Sequence, residues 1–180
     1  MINGDKIRLR GAERQDIPQF VTWLNDPEII ENLIIYAPLS KAEEEDWFIH
    51  MLERPKDERP LVIEVLEDDE WIMVGNCGIH NIDWRCRSAE LGIFIGEKRF
   101  WNRGYGTAVM RLLLKYGFQT LNLNRLMLDV YEANHRAIRT YEKAGFVHEG
   151  RKRQAMYKNG RYMDILIMSV LREEWHQDDA

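Results

Sequence analysis

Ile93-Phe94-Ile95 is followed by Trp101-Asn102-Arg103-Gly104-Tyr105-Gly106-Thr107. The first run is β-branched and aromatic, and ends a strand read over Ser88–Ile95. The second opens an apolar-periodic helix from about Thr107 to Leu121, with Val109, Leu112, Leu113 and Tyr116 at core spacing and Ala108 and Phe118 widening the face. A strand, a turn with two glycines and a helix start make a ready anion site. The first amides of a helix have no intrahelical acceptor and carry partial positive charge. Glycine lets a phosphate come close with no Cβ in the way. Arg103 is expected to add a full charge there. A lone Gly-x-Gly turn also reads as a plain strand-to-helix connection.

A second segment bears on that choice. After a strand at Arg125–Tyr131 comes Asn134-His135-Arg136-Ala137-Ile138-Arg139-Thr140-Tyr141-Glu142-Lys143-Ala144-Gly145-Phe146, an Asn cap, a short helix and a glycine stop. Further out, Ile7–Arg10 alternates as a half-buried strand. Asp16 caps a helix to about Asn25, Asp26-Pro27 breaks it, and a short helix and loop fill 28–39. Ser40 and Glu43 form a capping box for a helix to about Arg54, with Trp47, Met51 and Leu52 as its apolar stripe and Glu43–Asp46 as a solvated face.

Leu61–Leu66, Trp71–Asp83 and Ser88–Ile95 meander and so pair antiparallel, whereas the strand–helix–strand unit Ser88–Tyr131 implies one parallel pair. Asn159-Gly160 turns a last hairpin of Val147–Tyr157 and Tyr162–Leu171. The expected fold is a mixed, mostly antiparallel seven-stranded α/β (α+β) sheet with helices on both faces. It is read as one domain over residues 1–180, with a polar, frayed tail from about Glu173.

The formal net charge is −5 and no continuous basic stripe runs along the chain, so no nucleic-acid partner is expected. No apolar run approaches the roughly 20 residues of a membrane span, and Met1–Lys6 lacks the apolar centre of a signal peptide, so a cytoplasmic home is expected. Cys77 and Cys86 make neither a disulfide framework nor metal-ligand spacing, and no metal is expected.

The run Ile95–Thr107, together with Gly145-Phe146, Glu149-Gly150 and Asn159–Asp164, resembles the GNAT superfamily of acetyl-CoA-dependent N-acetyltransferases over roughly Lys6–Trp175. Within it, the likeness is to the branch of ribosomal-protein N-terminal alanine acetyltransferases and spermidine acetyltransferases. Trp101 stands where the superfamily usually has Gln or Arg, and Asn102 where glycine is common. Backbone amides would therefore carry more of the pyrophosphate.

The resemblance implies a GNAT-like sheet and an acyltransferase that uses acetyl-CoA as co-substrate, with direct attack in a ternary complex. It implies that the amides of Arg103, Gly104, Tyr105, Gly106 and Thr107 hold the pyrophosphate and that the edge at Phe94 and Ile95 pairs with the pantetheine arm. Asn134 would touch that arm besides capping its helix; cap alone is the other reading. Tyr141 would protonate the leaving thiolate, a thiol near pKa 8.5 and a phenol near 10 being close enough; a core aromatic is the other reading.

Glu90 shares a strand face with Gly92 and Phe94 and is the candidate base, or else a salt-bridge partner of Arg85 or Arg87. His80 is the next candidate. Asp164 supports its turn or lines the acceptor site, and Cys77 is the weakest candidate nucleophile. Glu28 and Glu31 would attract a cationic amine, with Tyr36 at the mouth. The acceptor is read as a small polyamine-like or amino-sugar amine; the alternatives are a peptide N-terminus of ribosomal-protein type, or a non-catalytic acyl-CoA-binding regulator. A homodimer is compatible with the resemblance. A third reading is a nucleotide-binding protein that uses the loop without acyl transfer; the absence of a Lys-Ser/Thr after the glycines argues against a P-loop.

Overall fold

A computed structural model describes residues 1–176. Strands β1 (Ile2–Asn3), β2 (Ile7–Gly11), β3 (Leu61–Glu67), β4 (Glu70–Asp83), β5 (Ser88–Ile95), β6 (Arg125–Tyr131), β7 (Val147–Lys158) and β8 (Arg161–Leu171) form one sheet in the order β1-β2-β3-β4-β5-β6-β8-β7. Among the described residues only β5 and β6 pair parallel. The helices are α1 (Ile17–Leu24), α2 (Pro27–Ile30), α3 (Lys41–Glu53), α4 (Tyr105–Lys115) and α5 (His135–Lys143). The β7–β8 turn has both central residues left-handed, Asn159 at φ 52° and Gly160 at φ 80°, as the Asn-Gly pair requires.

Alternation along the strands divides the core. Leu9, Ile63, Ile79, Leu91 and Leu126 pack with Val109 and Leu113 of α4 on one face. Val62 and Phe94 meet Phe20, Trp23 and Ile29 of α1 and α2 on the other, and Phe48 and Met51 of α3 close over Ile17. Buried Glu64 on β3 accepts from Arg8 at 2.5 Å and Arg10 at 2.8 Å, and Arg10 also grips Asp16 in two bonds. This network fixes the start of α1 against the sheet. No helix is long and apolar enough to cross a membrane among the described residues.

Four expectations change. The sheet has eight strands rather than seven, because Ile2–Asn3 pairs with Leu9 and Arg8; two residues are too short to show a period. In α3 the inward stripe is Glu44, Trp47, Phe48 and Met51, as expected for Trp47 and Met51, while Leu52 is 45% exposed. Glu44 is therefore not part of a solvated face, and burial pushes its carboxyl up to about 7. The long helix continues past Lys115 as a π-helical turn, Tyr116–Thr120. Trp175, in the tail read as frayed, packs on Phe118 with ring centroids 5.6 Å apart; the rest of that tail, 177–180, lies outside the described residues.

Glu44 yields a signed expectation. A carboxyl whose folded pKa lies above its unfolded value keeps its proton longer when folded, so its ionisation costs stability as pH rises from about 4 to about 7. Glu44→Gln should unfold at higher urea than the parent protein at pH 8, by about 1–3 kcal/mol, and match it near pH 4. The same difference at both pH values would mean that the carboxyl is solvated.

Candidate active site

The one parallel pair in the sheet is also its shortest ladder in the centre. Ser88, Ala89 and Glu90 of β5 face Arg125, Leu126 and Met127 of β6, and there the pairing stops. Beyond it β5 stays bonded to β4, with Ile79 opposite Leu91 and Gly75 opposite Ile95. Meanwhile β6 stays bonded to β8, with Leu128 opposite Met168 and Tyr131 opposite Ile165. Two well-held strands thus part in mid-sheet. Gly75 anchors the β5 side, since a Cβ there would come within 2.1 Å of the Phe94 carbonyl oxygen.

The gap is a cleft of about 770 Å³, within the size range of small-molecule sites. Its walls hold most of the residues expected of a site: Phe94 and Ile95, then Gly104, Tyr105, Gly106 and Thr107, then Asn134 and Tyr141. Gly104 caps α4 with φ 87°, a left-handed conformation, and a Cβ built on it would meet nothing within 4 Å. The space beside it is free for a ligand. The first intrahelical bond of α4 runs from Ala108 to the Gly104 carbonyl; among the described residues, no acceptor meets the amides of residues 103–107. A row of unpaired donors at a helix N-terminus suits a diphosphate.

Arg103 is corrected. Its guanidinium turns to Glu67 at 3.1 Å, over the rings of Phe100 and Tyr105, and does not line the cleft. The cations of the cleft wall come instead from α5: Arg136, Arg139 and Lys143, none in an ion pair among the described residues. Sequence reading missed them, although their spacing of three and then four residues puts them on one helix face. Trp101 explains the first. Its Nε1 donates to the Ile95 carbonyl at 2.7 Å, and the Arg136 guanidinium lies 3.7 Å over its ring. The residue that replaces Gln or Arg therefore ties the loop to β5 and carries a guanidinium on its face. Burial lowers the Arg136 pKa, with Glu28 partly opposing.

Asn134 Oδ1 accepts from the Ala137 amide at 3.1 Å, so the cap exists, and the residue also sits on the cleft wall. Tyr141 is 8% exposed and packs on Phe146, and burial pushes its phenol up to about 12. The gap to a thiol is thus wider than the unperturbed values suggest, and the hydroxyl stays protonated as a hydrogen-bond donor.

Glu90 lies on the last paired rung, opposite His80 on β4, one residue short of the cleft wall that begins at Leu91. It forms no ion pair with Arg85 or Arg87 among the described residues. Burial lowers the His80 pKa, with Glu90 partly opposing, so the imidazole is neutral near pH 7.

Other candidates fall away for stated reasons. Cys77 is buried in the α4-side core, and burial pushes its thiol up, so a thiolate is suppressed. Asp164 accepts from the Gln154 amide and from Arg151 and is off the cleft wall, which is a hairpin-supporting role. Glu28 is neutralised by Lys98 at 2.7 Å, a lysine that also holds Asp26. Tyr36 donates to the Met156 sulfur at 2.6 Å rather than facing the cleft.

Comparison with known proteins agrees with this geometry. Residues 6–147 match a family model described as an acetyltransferase (GNAT) domain. The chain is 29% identical over 170 residues to a spermidine N(1)-acetyltransferase of Vibrio cholerae, covering 94% of this chain and 95% of that protein. It is 36% identical over 103 residues to a putative ribosomal N-acetyltransferase, YdaF, of Bacillus subtilis, covering 57% and 56%. A crystal structure of the Vibrio cholerae spermidine N-acetyltransferase in complex with CoA and spermine superposes with a TM-score of 0.85 at 28% identity, covering 95% of this chain and 98% of that one.

The Trp101 brace can be dissected. Trp101→Phe keeps a ring under Arg136 but loses the bond to Ile95, and should cost about 1 kcal/mol in urea unfolding. Trp101→Ala loses both and should cost clearly more. Equal costs would assign the whole effect to the bond to Ile95 and none to the ring under Arg136.

Proposed function

The chain belongs to the GNAT acetyltransferase family, and we propose that it acts in the cytoplasm on a small primary amine of the polyamine or amino-sugar kind, by direct attack within a ternary complex. It is an acyltransferase with acetyl-CoA as co-substrate. The observation that carries the site assignment is the parting of β5 and β6 beside a helix start with unpaired amides, with Tyr141 on the same wall.

The residues divide the work. Amides 103–107 bind the pyrophosphate, and Arg136 adds the positive charge that Arg103 does not supply. The unpaired edge of β5 holds the pantetheine arm as an added strand would; the Phe94 carbonyl faces Gly75 of β4 and the Ile95 carbonyl already accepts from Trp101, so the Ile95 amide and the backbone of Ile93, in phase with it, carry that pairing while Phe94 lines the cleft with its side chain. Asn134 borders the arm from the α5 side. The amine nitrogen forms its bond to the carbonyl carbon as the carbon–sulfur bond breaks. The leaving sulfur is met by the Tyr141 hydroxyl, which gives it a hydrogen bond and then a proton. The proton lost by the attacking nitrogen goes to Glu90, directly or through a water, with neutral His80 across the strand pair as the alternative acceptor.

Spermidine is the first acceptor to try, because a relative named for it matches along nearly the whole chain. The cleft itself tempers a polycation, since its wall offers one carboxylate, Asp129, and Lys152 holds that at 2.6 Å. A peptide N-terminus is the second reading, supported by the likeness to YdaF.

In a thiol-release assay with acetyl-CoA and a panel of amines, Tyr141→Phe should lower turnover at least about tenfold and leave CoA affinity nearly unchanged. Equal loss of both would make Tyr141 a structural aromatic. Gly104→Val should weaken CoA binding, through left-handed strain of roughly 1–2 kcal/mol and a side chain in the phosphate's path. Undiminished affinity would contradict the loop assignment. The Tyr141 phenol, held near 12, should produce no alkaline limb in turnover below about pH 11.

A further inference from the structure

Tyr131 ends β6 where the cleft opens. Leu126, Leu128 and Val130 enter the α4-side core, so by strand alternation Tyr131 points to the other face, the one that Glu90, Gly92 and Phe94 share on β5. That is the side opposite α4 and α5, where an amine would approach the acyl group. Tyr131 lines the cleft and is 7% exposed. Its ring packs with Met156, Met163 and Ile165. Its hydroxyl is buried and, among the described residues, has no hydrogen-bond partner.

The groups that could satisfy it are turned elsewhere. Lys158, itself buried, donates its Nζ protons to the carbonyls of Ile30 and Leu33. Tyr36 donates to the Met156 sulfur. Asp129, next on the same face, is held by Lys152. These contacts fix the segment from Ile30 to Tyr36 as a roof, and Leu33 and Ile34 line the cleft beside Tyr131.

A buried hydroxyl without a partner costs about 1–3 kcal/mol, and phenylalanine would fill the same space without that cost. The fold thus gains nothing from the oxygen. A polar atom that weakens the fold on the wall of a substrate cleft has its use in the substrate. Resting on the acetyltransferase reading above, we propose that the Tyr131 hydroxyl contacts the acceptor amine and selects acceptors with a second nitrogen or a hydroxyl a few bonds from the reacting nitrogen. A phenol both accepts from an ammonium or hydroxyl and donates to a neutral amine. Among the described residues the one carboxylate on the cleft wall is Asp129, held by Lys152, so the subsite discriminates by hydrogen bonding rather than by charge. A site built to bond a polar group rejects the analogue that lacks it far more strongly than an apolar pocket rejects a methylene.

The test compares kcat/KM for propylamine, 3-amino-1-propanol and 1,3-diaminopropane in the native enzyme and in Tyr131→Phe. The native enzyme should prefer the two polar acceptors at least about tenfold. Tyr131→Phe should bring the three within about twofold, leave the KM for acetyl-CoA unchanged and unfold at the same or higher urea concentration. An unchanged preference in the variant overturns the proposal. So does a less stable variant in which acceptor and acetyl-CoA constants worsen together, which would make the hydroxyl structural. Thiol release with no preference among the three amines overturns it alone. No thiol release with any amine overturns the acetyltransfer reading and the proposal with it.

Discussion

A sheet whose two central strands stop pairing is the constraint on which the rest depends. Unpaired backbone groups inside a protein are costly, and a gap in mid-sheet would normally close. Here neither strand is free to close it. Leu91–Ile95 is committed to β4, where Gly75 permits an approach no other residue would, and Leu128–Tyr131 is committed to β8. The opening is therefore part of the folded framework, and a ligand arm that supplies backbone-like donors and acceptors would complete the ladder. A site held by strands bonded on their outer edges is preorganised, which is what an acyl transfer between two substrates requires.

Charge is arranged around this opening by pairing some groups and leaving others free. The protein is acidic overall, yet Arg136, Arg139 and Lys143 line the cleft with no carboxylate partner among the described residues. Three carboxylates around it are occupied, Glu28 by Lys98, Asp129 by Lys152 and Glu67 by Arg99 and Arg103, whereas Glu31, in an adjoining depression with Trp101 and Arg136, has no ion-pair partner among the described residues. An anionic tail bound there would meet amides and guanidinium groups. The side proposed for the acceptor, between Tyr131 and the Ile30–Tyr36 segment, is mostly apolar with a few directed polar atoms.

Much of this was legible from residues whose reading depends on local chemistry. Ser88–Ile95 and Arg125–Tyr131 emerged with the bounds expected, because β-branched runs between turn signals leave few alternatives. The Ser40–Glu43 capping box and the Asn134 cap are local motifs and were read as such. Gly104 at a helix start announced its own conformation. What stayed hidden was long-range. Arg103 sits in the glycine loop, yet its charge goes to Glu67 across 36 positions of sequence. Glu28 meets Lys98 across 70, and Lys158 reaches Leu33 across 125. The role of Trp101 required knowing that Arg136 would lie on its face, and the orphan hydroxyl of Tyr131 required knowing which neighbours turn away. Glu44 misled because a run of four acids suggests solvent, while its position in the helical period faces inward.

The most direct test of the central idea is a crystal structure of the protein with coenzyme A. The expected result has the pantetheine arm lying between Phe94–Ile95 and the end of β6, and the pyrophosphate within hydrogen-bonding distance of the amides of residues 103–107. Coenzyme A bound at another surface, or β5 and β6 paired to their ends with the ligand excluded, would contradict it.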